Sequence, residues 1–120
     1  MLGSYQDLIV WQKSIDLVVE IYRLTSFFPK NEIYGLSNQM KRAAVSIPSN
    51  IAEGYARKHR QEYIQFSRIS FGSGAELETQ IIIAKRLELA PVGEFKKSDE
   101  LLNETMKMLN KLIASLNKSR

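Results

Sequence analysis

The sequence predicts an all-α fold: an antiparallel up-down-up-down four-helix bundle, built as one domain over residues 1–120. Three observations carry that expectation. Four stretches repeat apolar residues every three or four positions, the period of a helix face, and strand signals are absent. The links between those stretches hold the helix breakers Pro29, Gly35, Pro91 and Gly93. Two of the links are short, which favours antiparallel neighbours.

The first helix is expected over about Tyr5–Thr25. Leu8, Trp11, Ile15, Val18 and Tyr22 make one apolar seam, and Val10, Ser14, Leu17, Ile21 and Leu24 make another. At 100° per residue, Leu8 and Val10 point about 200° apart. A helix in a small bundle needs only one apolar face. Two faces imply that one enters the core and the other meets a second chain. Trp11, at a seam position, reads as a core or interface residue. Asp7, Gln12, Lys13, Asp16, Glu20 and Arg23 take the remaining surface. In the link that follows, the aromatics Phe27, Phe28 and Tyr34 are expected to cover one end of the core, with Ser37 or Asn31 opening the second helix.

The second helix runs to about Arg57, with Leu36, Met40, Ala43, Ile47, Ile51 and Tyr55 on its apolar side. Gln39, Arg42, Ser46, Asn50 and Glu53 form a polar stripe. Pro48 lies mid-helix, where it removes a backbone donor and strains the turn before it at a cost of roughly 3 kcal/mol. The third helix spans about Gln61–Leu89 and is interrupted by Gly72-Ser73-Gly74, the mark of a close crossing or a local bend. The fourth spans about Glu94–Asn117, with Phe95, Ser98, Leu102, Thr105, Leu109, Leu112 and Leu116 along one face. Such helices make a rod roughly 30–45 Å long.

Composition narrows the chemistry. The chain has no cysteine, so disulfides, thiolate metal sites and cysteine nucleophiles are excluded. Its opening residues do not read as a secretory signal and its apolar runs fall far short of the ~20 residues a membrane span needs. A cytoplasmic location with no membrane partner is therefore expected. Net charge is +4, and residues 36–70 hold six basic side chains against Glu53 and Glu62, an excess that makes a polyanion partner plausible.

The residues also carry a resemblance. Leu8 with Trp11, Phe28-Pro29 with Glu32, Gly35-Leu36, Gln39, the run RAAVSIPSNIAEG from Arg42 to Gly54, and Gly72-Ser73 with Glu76 resemble the 23S ribosomal RNA intervening sequence proteins. The chain is similar also to the accessory protein of diversity-generating retroelements. The resemblance implies a four-helix bundle that assembles as a ring-shaped homopentamer, and the second relative works with a reverse transcriptase, a nucleic-acid-processing protein. It implies no defined activity. The chain departs from the family where Lys58-His59-Arg60 opens the third helix without Ser or Thr, leaving that end less well capped. It departs again at Gly74, where a bulkier residue fits the pattern and the crossing is expected to loosen.

Two candidate sites follow. Arg57, Lys58, Arg60 and Arg68, with His59, form a basic corner that reads either as a phosphate-binding patch for RNA or DNA or as a solvated turn between helices. Tyr55 and Tyr63 could stack on bases but read first as core or interface. The stripe of Gln39, Arg42, Ser46, Asn50 and Glu53 beside Pro48 reads as a ligand surface or as an internal or intersubunit hydrogen-bond network. Arg42 and Glu53 stand about three turns apart, so each needs a partner elsewhere. The first helix and the second, curved by Pro48, are the expected intersubunit seam. His59 is the lone histidine, Glu62, Glu76 and Gln80 sit on exposed-looking faces, and Gly72-Ser73-Gly74 lacks the context of a phosphate loop. No metal, cofactor or catalytic residue is expected, and the reading is non-enzymatic: a nucleic-acid-binding protein or a protein–protein adaptor.

Overall fold

The computed structural model describes residues 3–118, and among them it contains helices and no strand. The long helices are α1 (Ile9–Thr25), α2 (Asn38–Ala56), α3 (Arg60–Arg86) and α4 (Lys96–Lys118). Each packs on the next, α4 closes against α1, and α2 with α3 is the most intimate pair. This is the arrangement of a four-helix bundle, with extents of 48 × 22 × 21 Å.

The first helix starts later than its periodicity suggests. Ser4 caps a short turn over Tyr5–Asp7, its Oγ accepting from the Gln6 amide, while Asp7 Oδ2 accepts from the Gly3 and Ser4 amides. This reciprocal cap closes the turn. Leu8 is then extended, and α1 begins at Ile9. Of the two seams, Val10, Ser14, Leu17, Ile21 and Leu24 are buried. On the other, Leu8, Trp11, Ile15 and Val18 are half-buried and Tyr22 is 50% exposed. Trp11 packs at the core margin, edge-on to Tyr5 at 5.4 Å.

Glu20 departs from its expected place on the surface: it is buried, and Arg23 holds it at 2.6 Å. Arg23 also reaches Glu94, just before α4, at 2.8 Å. A buried carboxylate needs such a partner. Of the three aromatics in the link after α1, Phe28 is the one that covers the core, while Phe27 and Tyr34 are exposed. Gly35 breaks helical geometry before α2, and Ser37 makes no capping bond.

α2 runs unbroken through Pro48, which is buried with Met40, Ala43, Ala44, Ile47 and Ile51. Side chains support this stretch from both directions. Ser70 Oγ on α3 donates to the Ile47 carbonyl at 2.9 Å, and Asn50 Nδ2 donates to the Ser46 carbonyl at 2.8 Å. Polar donors thus flank the proline on the side facing α3.

α3 is also continuous through Gly72-Ser73-Gly74, so the tripeptide is no interruption. Its members do different work. A Cβ at Gly74 would run into Met106 Sδ on α4, so the crossing there is tight, against the expected loosening. Ser73 hydrogen-bonds Ser46 at 2.8 Å, and Gly72 faces open space. α3 ends at Arg86, before Leu89, because Glu88 turns left-handed at φ 55° and the Leu89 amide reaches back to the Ala84 carbonyl.

Candidate functional site

The basic corner forms at one end of the bundle, and local chemistry puts it there. α2 stops at Ala56, Lys58 takes a left-handed φ of 59°, and His59 is extended, so the chain turns here and α3 packs against α2. His59 makes no side-chain capping bond, in line with the weak cap its sequence predicts. The return is close. A Cβ on Gly54 would lie 2.8 Å from Phe66 Cβ and 3.4 Å from Tyr63 Cα, so only glycine lets these backbones approach.

The four predicted cations are not equivalent. Arg57 is committed: it pairs with Glu53 at 2.9 Å, approaches Glu62 at 3.6 Å and lies 5.0 Å from the Phe66 ring centre. The Glu53 hydrogen bond, opposed by desolvation, holds its pKa above the ordinary arginine value. Lys58 and His59 are exposed, and neither makes an ion pair among the described residues. Arg60 donates from Nη1 to the Leu116 carbonyl near the end of α4 at 3.0 Å, which leaves its other donors available. Arg68 sits apart: eight residues along α3 is about 12 Å and roughly 80° of rotation from Arg60. The bond to Leu116 shows that α4 brings its last turn, with Lys118, to this same end. Sequence reasoning missed Lys118. The signal was the order of the helices, which sets the end of the fourth beside the turn between the second and third.

Beside these cations lies a cleft of about 470 Å³, walled by Gly54, Tyr55, Tyr63 and Leu116 and rimmed by Lys58, His59 and Arg60. Tyr55 and Tyr63 meet edge to face, 5.7 Å between centroids at 82°. The Tyr63 hydroxyl is buried without a hydrogen-bond partner. Burial, with a smaller contribution from Tyr55, pushes its pKa up to about 12.

The stripe on α2 divides. Ser46 and Asn50 join the hydrogen bonds that tie α2 to α3, and Asn50 Nδ2 also reaches Ser46 Oγ at 2.9 Å. Glu53 finds its partner one turn on, in Arg57. Gln39 and Arg42 are exposed along a groove of about 430 Å³ that includes Ser73 and Glu76. Gln80, expected on an exposed face, is buried, and its Nε2 donates to Glu76 at 3.4 Å. Among the described residues there is no cluster of three or more potential metal ligands, and no helix is long and apolar enough to cross a membrane.

No curated protein sequence matches the chain. Among solved structures, it is similar to the crystal structure of a protein of unknown function from the S23 ribosomal protein family of Bacteroides thetaiotaomicron VPI-5482. That likeness has a TM-score of 0.80 at 24% identity and covers 88% of this chain and 98% of that one, which speaks to the fold. Neither this neighbour nor the matching family is described as enzymatic. The family described as 23S rRNA-intervening sequence protein matches residues 6–111, nearly the whole bundle from the first capped turn into the last helix, and the chain belongs to that family.

Proposed function

We propose that this chain is a non-enzymatic cytoplasmic protein whose single domain, an antiparallel up-down-up-down bundle, assembles as a ring-shaped homopentamer and binds RNA or DNA through the basic end, repeated around the ring. The observation that carries the binding reading is the convergence of Lys58, His59 and Arg60 beside the Tyr55–Tyr63 pair. Cations with free donors next to aromatic rings suit a phosphate backbone and its bases. Repetition in an oligomer multiplies weak contacts into avidity.

The antiparallel order is supported by contacts at both ends. Arg23 near the end of α1 meets Glu94 before α4, Lys85 late in α3 meets Asp99 early in α4, and Arg60 at the start of α3 meets Leu116 near the end of α4. The assembly is supported by apolar surface left on the first two helices: Val19, Tyr22 and Val45 are 65%, 50% and 39% exposed. Pro48 shapes α2 for that contact, so Pro48→Ala changes oligomer size or stability more than helix content. Light scattering that finds the same oligomer with the same melting temperature overturns that role.

Polarisation titrations with labelled RNA and DNA across a salt series test the binding. Replacing Lys58, Arg60 and Lys118 with Ala should weaken binding and reduce the salt slope by about one per lost phosphate contact. No binding even at low salt overturns the reading. A second reading, a protein–protein adaptor, is favoured by the exposed Ile69, Ile82 and Ile83 on α3. A protein partner, such as a nucleic-acid-processing protein, retained after nuclease treatment would support it.

A further inference from the structure

We infer that the cleft at the basic end accepts one unstacked nucleotide, so that the protein prefers single-stranded termini or loops to a continuous duplex. This rests on the nucleic-acid reading above and adds to it the form of the substrate. The cleft, at about 470 Å³, has the size of a small-molecule site, far below what a duplex would require. Its walls are aromatic and aliphatic, from Tyr55, Tyr63 and Leu116, while the exposed side chains of Lys58, His59 and Arg60 complete its lining, with charge on Lys58 and Arg60. The complementary ligand has a flat, weakly polar body and an anionic group at one edge. A nucleobase with its phosphate has that form.

Two further facts favour this occupant. The Tyr63 hydroxyl is buried without a partner, and buried hydroxyls normally have one. Tyr63 lines the cleft, so a base heteroatom bound there supplies that partner once the ring turns to expose its hydroxyl. Finally, the cations do not form the line that would follow a duplex backbone. Arg57 is neutralised by Glu53 and Glu62, and Arg68 lies about two turns away on another side of α3. The available charge is concentrated at one point, where a single phosphate, and best a terminal one, can meet it. A base in a stacked duplex cannot enter such a cleft without first leaving the stack.

The test compares, on the full-length protein at one salt concentration, a single-stranded oligonucleotide with a 5′-phosphate, the same strand without it, and the blunt duplex. A 2-aminopurine is placed at the terminal or at an internal position. The single strand should bind at least tenfold more tightly than the duplex, and the terminal probe should be quenched more than the internal one in at least one strand polarity. Base–aromatic stacking is worth roughly a factor of ten, so Tyr55→Leu should remove most of the preference while leaving the salt slope unchanged. Tyr55→Trp keeps a stacking ring and should keep the preference, which covers the case in which the leucine variant fails to fold. Tyr63→Phe should weaken the single strand by a few-fold and leave the duplex unaffected. Equal binding of strand and duplex, or a preference that survives Tyr55→Leu in a folded protein, overturns the cleft inference and leaves the broader nucleic-acid reading standing. Absence of binding to either at low salt overturns both.

Discussion

Arg23 and Lys85 at one end of the bundle and Lys58 and Arg60 at the other use their charge differently. At the end where α1 meets the start of α4, Arg23 is divided among Glu20, Glu94 and the Glu94 carbonyl and lies against the Phe27 ring, while Lys85 pairs with Asp99 at 2.7 Å. Those cations fasten one element to another. Where α2 turns into α3, Arg57 is paired with Glu53 and Glu62, but Lys58 and His59 fasten nothing among the described residues, and Arg60 touches a single carbonyl. A charge already paired has lost the capacity to recognise a ligand, and an unpaired one adds little to stability. That contrast, together with the aromatic cleft beside Lys58 and Arg60, is the ground for the recognition proposed at the α2–α3 turn.

Substitutions can break or sharpen this contrast. The largest expected effect is steric and anchors the recognition end: Gly54→Val forces α2 away from Phe66 and Tyr63 and should cost about 3 kcal/mol in urea unfolding. Gly74→Ala should cost much less, because the atom it meets belongs to the flexible Met106 side chain. Next, Arg23→Gln should lower the melting temperature well beyond Arg60→Gln, since it leaves Glu20 buried without its cation. Equal losses would erase the distinction between the ends.

The third test is a pH window. Folding holds the Tyr63 proton more tightly, with the pKa pushed from 10.0 to about 12. Its contribution is therefore complete below about pH 10 and declines as pH rises towards 12. Tyr63→Phe should flatten that alkaline decline in thermal melts, and an unchanged profile would show that the hydroxyl is wetter than its burial indicates.

Two smaller effects separate backbone from charge. Lys58→Gly relieves a left-handed residue and should raise stability by up to about 1 kcal/mol while weakening polyanion binding. Gly72→Ala, facing open space inside a helix, should add about 1 kcal/mol or slightly less and leave binding unchanged. A chain that loses binding in the second case would tie the outer face of α3 to recognition.

Much of this architecture was legible in the sequence, because period and breakers report directly on which side chains share a face. The core seam of α1 and the apolar side of α2 lie where spacing puts them. What escaped was information carried by contacts between elements. Nothing in the local pattern distinguishes Glu20, buried by Arg23, from Asp16, left on the surface. The proline read as a costly bend and the glycine tripeptide as an interruption because helix propensity is a local quantity. Packing against Ser70, Ser73 and Met106 overrides it. The basic corner was legible as composition, yet the pairing of Arg57 and the separation of Arg68 depend on rotation about α2 and α3. Lys118 required knowledge of which helix ends adjoin.

The last fully enclosed apolar side chain of α4 is Leu109, yet the helix continues to Lys118. Beyond it Leu112 packs at the core margin and Leu116 lines the cleft, while the Leu116 carbonyl accepts from Arg60. The length of α4 therefore bears on how firmly that guanidinium is held, and shortening the helix before Leu116 should free it.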